Sequence, residues 1–534
     1  MSRLLEKFNE DWVNGLFRPY SEIVEQQSKM LFEITEKAQK SPIYGDSVKI
    51  IEDVERINEL PLTFYDDIDS KIRRWGLEAC LLKPPYIEAH TAGTTGIPKK
   101  IYYAEEDIDR ISFLTERIFH LLNLRKGDII WSLGAPPPYI SGHMCEFFNR
   151  AGYKAVNTYI TKPQDLINGL KKVSKSEEDF KGMIGFPGTA LTVAKIIDNP
   201  DNFKKTVVEK MRKKFGMFGD ILSSLYLHGL EFERLDEIMK NVKVMLLGGE
   251  PVDPYREKLK LFYTNAKIFE VYGSTEVLLG MVQLSENGNL NPLLNWFIPE
   301  IAKPEDIRRA KKNPNYHVEA IPWWEWYDGL RGELIITRDG GCLPLIRYPT
   351  GDLVEVVSSK KTLPIRLSTE VSHVTLPEVR VLGRSIEILP SDASEDEMLI
   401  FSVARVYPSE IKAKLNSIPQ LKMRHFILNI YRPTPQRPFP RWELKIIPEE
   451  KITEKEKIIH MVMEKLKETE LKQTLDTFSL TYPMEKLFQV EITEPENYEE
   501  IEKEIMEKIS RKMPLGQVKP KHINFITQEV NKNG

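Results

Sequence analysis

The chain has 534 residues, too many for one compact domain, and its 29% charged and 41% hydrophobic residues match a soluble globular protein. A formal net charge of −4 gives no global basic field for a nucleic acid, and no apolar run is long enough to span a membrane. Cys80, Cys145 and Cys342 stand far apart in no zinc or disulfide pattern, and the first residues carry acids where a signal peptide needs an apolar core, so a cytoplasmic location is expected.

Residues 3 to 40 repeat apolar side chains at helical spacing, through Leu4, Leu5, Phe8 and Trp12 to Ile23, Met30, Leu31 and Ile34, which predicts a packed amphipathic helical layer. Next comes Tyr86-Ile-Glu-Ala-His-Thr-Ala-Gly-Thr-Thr-Gly-Ile-Pro-Lys-Lys100. Gly93 and Gly96 free the backbone, and Thr91, Thr94 and Thr95 place hydroxyls on the same loop, a composition suited to phosphate oxygens. The P-loop of NTPases is excluded by Gly96-Ile97-Pro98, and the dinucleotide fingerprint by the missing Gly-x-Gly opening. An ordinary Gly/Thr turn before a strand fits the spacing equally well.

Glu105 opens a helix to about Leu122, and Ile129–Leu133 is a predicted strand. Gly134-Ala-Pro-Pro-Pro-Tyr-Ile-Ser-Gly-His143 is then expected as a rigid bend, with Tyr139 and His143 lining a pocket or simply packing at a strand end. Apolar strands at 181–186 and 242–247, with helices between, predict an α/β fold with substantial parallel sheet. Gly248-Gly-Glu-Pro251 and Tyr272-Gly-Ser-Thr-Glu276 follow two of these strands, where parallel sheets collect ligands. Glu276 offers one hard oxygen donor for Mg²⁺, or else an acid at a helix start. Residues 285–330 are expected to be polar and loop-rich, ending in an aromatic cluster at Trp323–Tyr327. After a strand at 332–337, Asp352 follows a glycine, where its carboxylate suits the two hydroxyls of a ribose or is simply a turn Asp.

Ala89-His-Thr-Ala-Gly-Thr-Thr-Gly-Ile-Pro98, Gly248-Gly-Glu-Pro251, Tyr272-Gly-Ser-Thr-Glu276, Ile346-Arg-Tyr-Pro-Thr-Gly-Asp352 and Gly383-Arg384 stand in the order found in the adenylate-forming superfamily. They resemble most its phenylacetate–CoA ligase branch, as do the Asp107-Ile-Asp109 helix and Val406-Tyr-Pro-Ser-Glu-Ile411. Each motif alone is weak, and the resemblance lies in their order along residues 60 to 530. It implies a large N-terminal α/β domain with mixed and parallel sheets (1–384), a hinge carrying an insertion (385–397) and a smaller mobile α+β lid (398–534). It also implies a carboxylic acid activated by Mg·ATP to an acyl adenylate and then transferred to CoA, with no nucleic-acid or membrane partner. A homodimer through the N-terminal helix is plausible.

Under the resemblance Thr91, Gly93, Thr94, Thr95 and Gly96 would hold the departing pyrophosphate. Gly249, Glu250 and Pro251 with Tyr272 and Gly273 would enclose adenine, beside Ser274. Thr275 would meet the α-phosphate, Glu276 the Mg²⁺, Asp352 the ribose with Arg384 beside it, and Tyr139 and His143 the acid. The departures concern the loop, hinge and tail. Ile97 stands where the branch has a lysine, with Lys99 and Lys100 nearby; Ser385–Glu395 is extra; Val403 replaces a glycine bordering the thiol tunnel. The family's C-terminal Gly-Lys is not evident: its lysine is cut away, lacking, or replaced by Lys519, Lys521 or Lys532, of which Lys532 fits best by position. Three functions stay open at this point: an acyl-CoA ligase for an aryl or arylacetic acid, an adenylating enzyme with a non-CoA acceptor, and a nucleotide-binding homologue without chemistry.

Overall fold

Strands buried along their whole length lie within the parallel part of the sheet. Ile129–Gly134 and Val244–Gly248 are buried at every residue, the pattern of strands covered on both faces. In the computed structural model the described residues are 20–91, 98–159, 163–215, 220, 223–224, 227–286, 288–367, 370–390, 392–394, 397, 406–432, 440–469, 471–472, 487–503 and 522–526. The parallel strands run Lys154–Tyr159, Ile129–Gly134, Phe180–Gly185, Val244–Gly248 and Lys267–Tyr272 in spatial order. Helices such as Ile140–Arg150, Pro187–Asp198 and Asp253–Lys260 connect them, so their carboxyl ends share one side of the sheet.

Beyond Tyr272 the sheet continues with antiparallel strands, including the long hairpin Leu345–Leu367 and Glu370–Arg384, to reach 12 strands among the described residues. Residues 285–330 are more ordered than the expected loops. They hold strands Leu290–Pro292, Ile298–Ala302 and Ile321–Pro322 and the helix Pro304–Lys312. The strands are too short to show a period. The helix is set by proline in its first turn, acids Glu305 and Asp306 at its start and bases at its end. Trp296, Trp323 and Trp326 are buried in the main core, which accounts for the aromatic run as packing.

The predicted N-terminal helical layer is present as Tyr20–Gln39, with Ile23, Leu31 and Ile34 in the core; residues 1–19 lie outside the described residues. Arg347 fastens this side of the molecule to the sheet. It is 1% exposed, pairs with fully buried Glu300 at 3.1 Å, and donates to the carbonyls of Leu60 (2.7 Å) and Val318 (3.0 Å).

A separate sheet, of 4 strands among the described residues, contains the predicted pair, Met423–Tyr431 antiparallel to Arg441–Pro448, with His425 opposite Ile447. Phe426, Leu428, Trp442, Leu444 and Val462 form its core, which reaches Leu353 and Leu382 of the long hairpin. The chain therefore has the expected α/β architecture, a large mixed sheet and a smaller sheet unit. The connecting segment starts with the short helix Ser385–Ile388 and is tethered from both sides. Lys312 Nζ donates to the Ala393 carbonyl at 2.8 Å, while Arg432 contacts Asp392 at 3.0 Å and Glu397 at 2.6 Å. Among the described residues no helix is long and apolar enough to cross a membrane.

Candidate active site

The strands Ile87–His90 and Lys100–Tyr103 pair antiparallel and bring the ends of the Gly/Thr loop together. Thr91 closes the loop's base: its N–H donates to the Lys99 carbonyl (3.0 Å), and its Oγ1 accepts from the Lys99 N–H (2.9 Å). Gly93, Thr94, Thr95 and Gly96 lie outside the described residues, as do Ile97, Val403 and Lys532.

Lys99 is the cation this loop delivers. Its Nζ donates to the Tyr348 hydroxyl (3.0 Å), lies 3.8 Å from Glu276 Oε1, and sits over the rings of Tyr65 and Tyr348. Tyr348 in turn donates to Glu276 Oε1 at 3.2 Å, and burial with the nearby Glu276 charge raises its phenol far above the usual range.

The turn presenting Thr275 and Glu276 is held by its own backbone. Three successive carbonyls each accept from a side chain of a different element: Thr275 from Tyr103 Oη (2.6 Å), Glu276 from Arg338 Nε (2.9 Å) and Val277 from Trp296 Nε1 (2.6 Å). A Cβ at Gly273 would collide with the Leu278 carbonyl, so the turn closes only around glycine. Ser274 Oγ accepts the Glu276 N–H at 3.3 Å, and Thr275 Oγ1 reaches the His90 carbonyl at 3.5 Å, which ties this turn to the Gly/Thr loop.

Asp352 lies inside a strand, which removes the alternative reading as a turn residue: Gly351 (φ 79°) turns the chain without ending the pairing. The register sets Asp352 directly opposite Arg384. Arg384 Nη1 donates to Oδ1 and the Tyr272 hydroxyl to Oδ2, each at 2.8 Å. The Asp352 carboxylate keeps the half-exposed Arg384 protonated, while burial and the same carboxylate raise the Tyr272 phenol well above its ordinary range.

Sheet register pairs Gly248 with Val271, so Gly249 leaves the sheet beside Tyr272, the last residue of its strand. Gly249 has φ 79°, and a Cβ there would lie 2.5 Å from the Phe186 ring. Glu250 is already engaged. Its carboxylate accepts from Gly188 N (3.2 Å) and Tyr255 Oη (2.8 Å), and Lys412 of the smaller unit stands 3.7 Å away. Below Pro251, the Val252 N–H donates to Glu270, whose carboxyl burial raises to about 7.

The expected bend over 134–143 is shorter than predicted. A helix starts at Ile140, so His143 lies in its first turns, and a Cβ at Gly142 would collide with Pro137. The bend still meets the loop: the Pro138 carbonyl accepts from His90 N at 2.9 Å, next to Tyr139. His143 Nε2 is buried without a hydrogen bond, and burial lowers its pKa. Lys99, Tyr348, Arg338 and Lys412 were not among the expected site residues. Lys99 and Tyr348 lay in or beside quoted motifs; the other two carry no sequence signal.

Glu276 fits Mg²⁺, which binds through one or two carboxylates together with phosphate oxygens. Among the described residues no cluster of three His, Cys, Asp or Glu side chains forms a metal cage, so a nucleotide would complete the donor set.

No protein-family model matches the sequence, and a search of curated proteins finds no match. Solved structures do. A 2-hydroxyisobutyryl-CoA ligase in the postadenylation state, in complex with 2-HIB-AMP, is similar with TM-score 0.62 at 14% identity, over 97% of this chain and 92% of that one. The same ligase in an open conformation with 2-HIB-AMP and CoA gives 0.56 at 15% identity over 90% of each chain. Its complex in the thioesterification state gives 0.51 at 14% identity. The chain has the two-domain α/β fold of these ligase structures.

Proposed function

We propose that the chain is an AMP-forming acyl-CoA ligase. One observation carries this reading: residues from separate motifs meet as two hydrogen-bonded groups, Lys99–Tyr348–Glu276 and Tyr272–Asp352–Arg384, beside the carboxyl ends of the parallel strands. The fold likeness to ligases solved with an acyl adenylate and CoA supports it.

In the proposed first step a carboxylate oxygen attacks the α-phosphorus of ATP, and the bond to the pyrophosphate oxygen breaks. Asp352 and Arg384 orient the ribose, Thr275 meets the α-phosphate, and Lys99 with the Gly/Thr loop takes up charge moving onto the leaving group. Mg²⁺, held by Glu276 when bound, supplies further charge neutralisation at the phosphates. In the second step the CoA thiol attacks the acyl carbonyl, and AMP leaves. Residues 398–534 act as the lid over a site built on 1–384, with 385–397 as the hinge. The acid is aryl or arylacetic, seated near Tyr139 and His143.

The test is acid-dependent pyrophosphate release from Mg·ATP over a panel of aryl, arylacetic and fatty acids, with and without CoA. The expected result is release with one acid class and AMP turnover that requires CoA. Release that stops after one equivalent with or without CoA would point to another acceptor, and no release with any acid would contradict the reading.

A further inference from the structure

One face of the helix Pro304–Lys312 borders the nucleotide site without belonging to it. Ile307, Arg308 and Lys311 recur at helical spacing and line a cavity of about 140 Å³. Lys99, Tyr348 and Arg384 line the same cavity. Two carboxylates offset the four cations. Glu333 is buried at the floor and accepts from Gly351 N at 3.0 Å. Asp66 pairs with Lys311 at 2.8 Å, with side chains 70% and 49% exposed. An exposed pair of this kind is worth little and exchanges readily.

Arg308 is the unusual member. Its Nε is buried with no hydrogen bond, and Nη2 reaches only the Leu389 carbonyl, at 3.4 Å. Among the described residues it makes no ion pair. This partly buried guanidinium acts on the Glu333 carboxylate only through its charge, so donors are left over for a further anion. The volume decides which anion, because sites for drug-sized ligands start at roughly 300 Å³. A nucleoside is too large for 140 Å³, whereas a small phosphate anion is of the right scale.

We propose that this cavity is an anion subsite that receives inorganic pyrophosphate on Arg308 and Lys311. Because Lys99 and Arg384 line both sites, an anion leaving the nucleotide moves across without losing its cationic contacts. The identity of the anion rests on the proposed adenylating activity; the subsite itself does not.

The experiment is calorimetric titration of the full chain, saturated with AMP, with inorganic pyrophosphate or with adenosine 3′,5′-bisphosphate as the probe of a CoA-type phosphate. Arg308→Gln and Lys311→Gln are each expected to weaken pyrophosphate binding about tenfold, with AMP affinity unchanged. The Lys311 variant removes only an exposed pair, so it keeps the test open if Arg308→Gln fails to fold. Unchanged pyrophosphate affinity in the folded variants, equal weakening of AMP, or an effect on the bisphosphate alone would overturn the subsite. Absence of pyrophosphate release with every acid would instead remove the activity and leave the binding result standing.

Discussion

The turn Thr275–Val277 and the helix Pro408–Asn416 both border the candidate site, and they are held in opposite ways. The turn's three carbonyls accept from Tyr103, Arg338 and Trp296, side chains 0–2% exposed, at 2.6 to 2.9 Å. The helix shares an apolar core with Leu353 and Leu382 through Ile411 and Leu415 and bonds the Leu382 carbonyl through Ser409, while its charged contacts, Glu410–Arg331 at 3.2 Å and Lys412–Glu250 at 3.7 Å, have side chains 15–22% exposed. Moving the turn breaks buried hydrogen bonds, each leaving a polar group unpaired at about 1–3 kcal/mol. The helix's polar contacts to the larger unit are mostly partly wet ion pairs, worth at most about 1 kcal/mol each. Under the proposed function, chemistry that needs fixed donors would fall to the rigid turn, and motion to the smaller unit.

The comparison breaks most visibly at Arg338. Arg338→Met leaves the Glu276 and Asp339 carbonyls without their donor and removes one of the two cations, with Arg110, that act on buried Asp107, and is expected to lower unfolding stability by roughly 2–5 kcal/mol in a denaturant titration. If the loss stays below about 1 kcal/mol, the turn is not held as described.

Tyr348→Phe removes only the hydroxyl between Lys99 and Glu276. Stability should change by about 1 kcal/mol, and pyrophosphate release should slow about tenfold. Unchanged release would separate Lys99 from the chemistry.

Glu270 adds a pH dependence beneath the Gly248–Pro251 turn. Burial raises its carboxyl from 4.5 to about 7, so the folded state binds more protons than the unfolded chain across that window. Stability should therefore fall as pH rises from 4.5 to about 7. Glu270→Gln should flatten that slope in thermal melts across pH, and an unaltered slope would assign it to other groups.

The smallest expected effect is Lys412→Met, about 0.2–1 kcal/mol in stability. Hydrogen exchange should quicken along Pro408–Asn416 and stay slow at Thr275–Val277; equal quickening of both would erase the distinction.

Much of this site was legible in the sequence because its residues sit in short, ordered motifs at strand ends. The apolar run at Val244–Gly248 gave the strand, and the order of motifs brought Tyr272, Asp352 and Arg384 into one expectation. What was not legible is what holds them. Tyr103 stands 172 residues from its acceptor and Arg338 62, and a side chain bonded to a distant carbonyl leaves no periodic trace. The Lys412–Glu250 contact arises only when two units dock. The position of His143 was misjudged because two glycines and three prolines suggested a bend, while Gly142 serves to let the new helix approach Pro137.

The most direct test of the central claim is ATP–pyrophosphate exchange, which reports reversible acyl-adenylate formation whatever the acceptor. The account predicts exchange that requires one class of carboxylic acid and proceeds without CoA. A protein that binds ATP yet shows no acid-dependent exchange would contradict it.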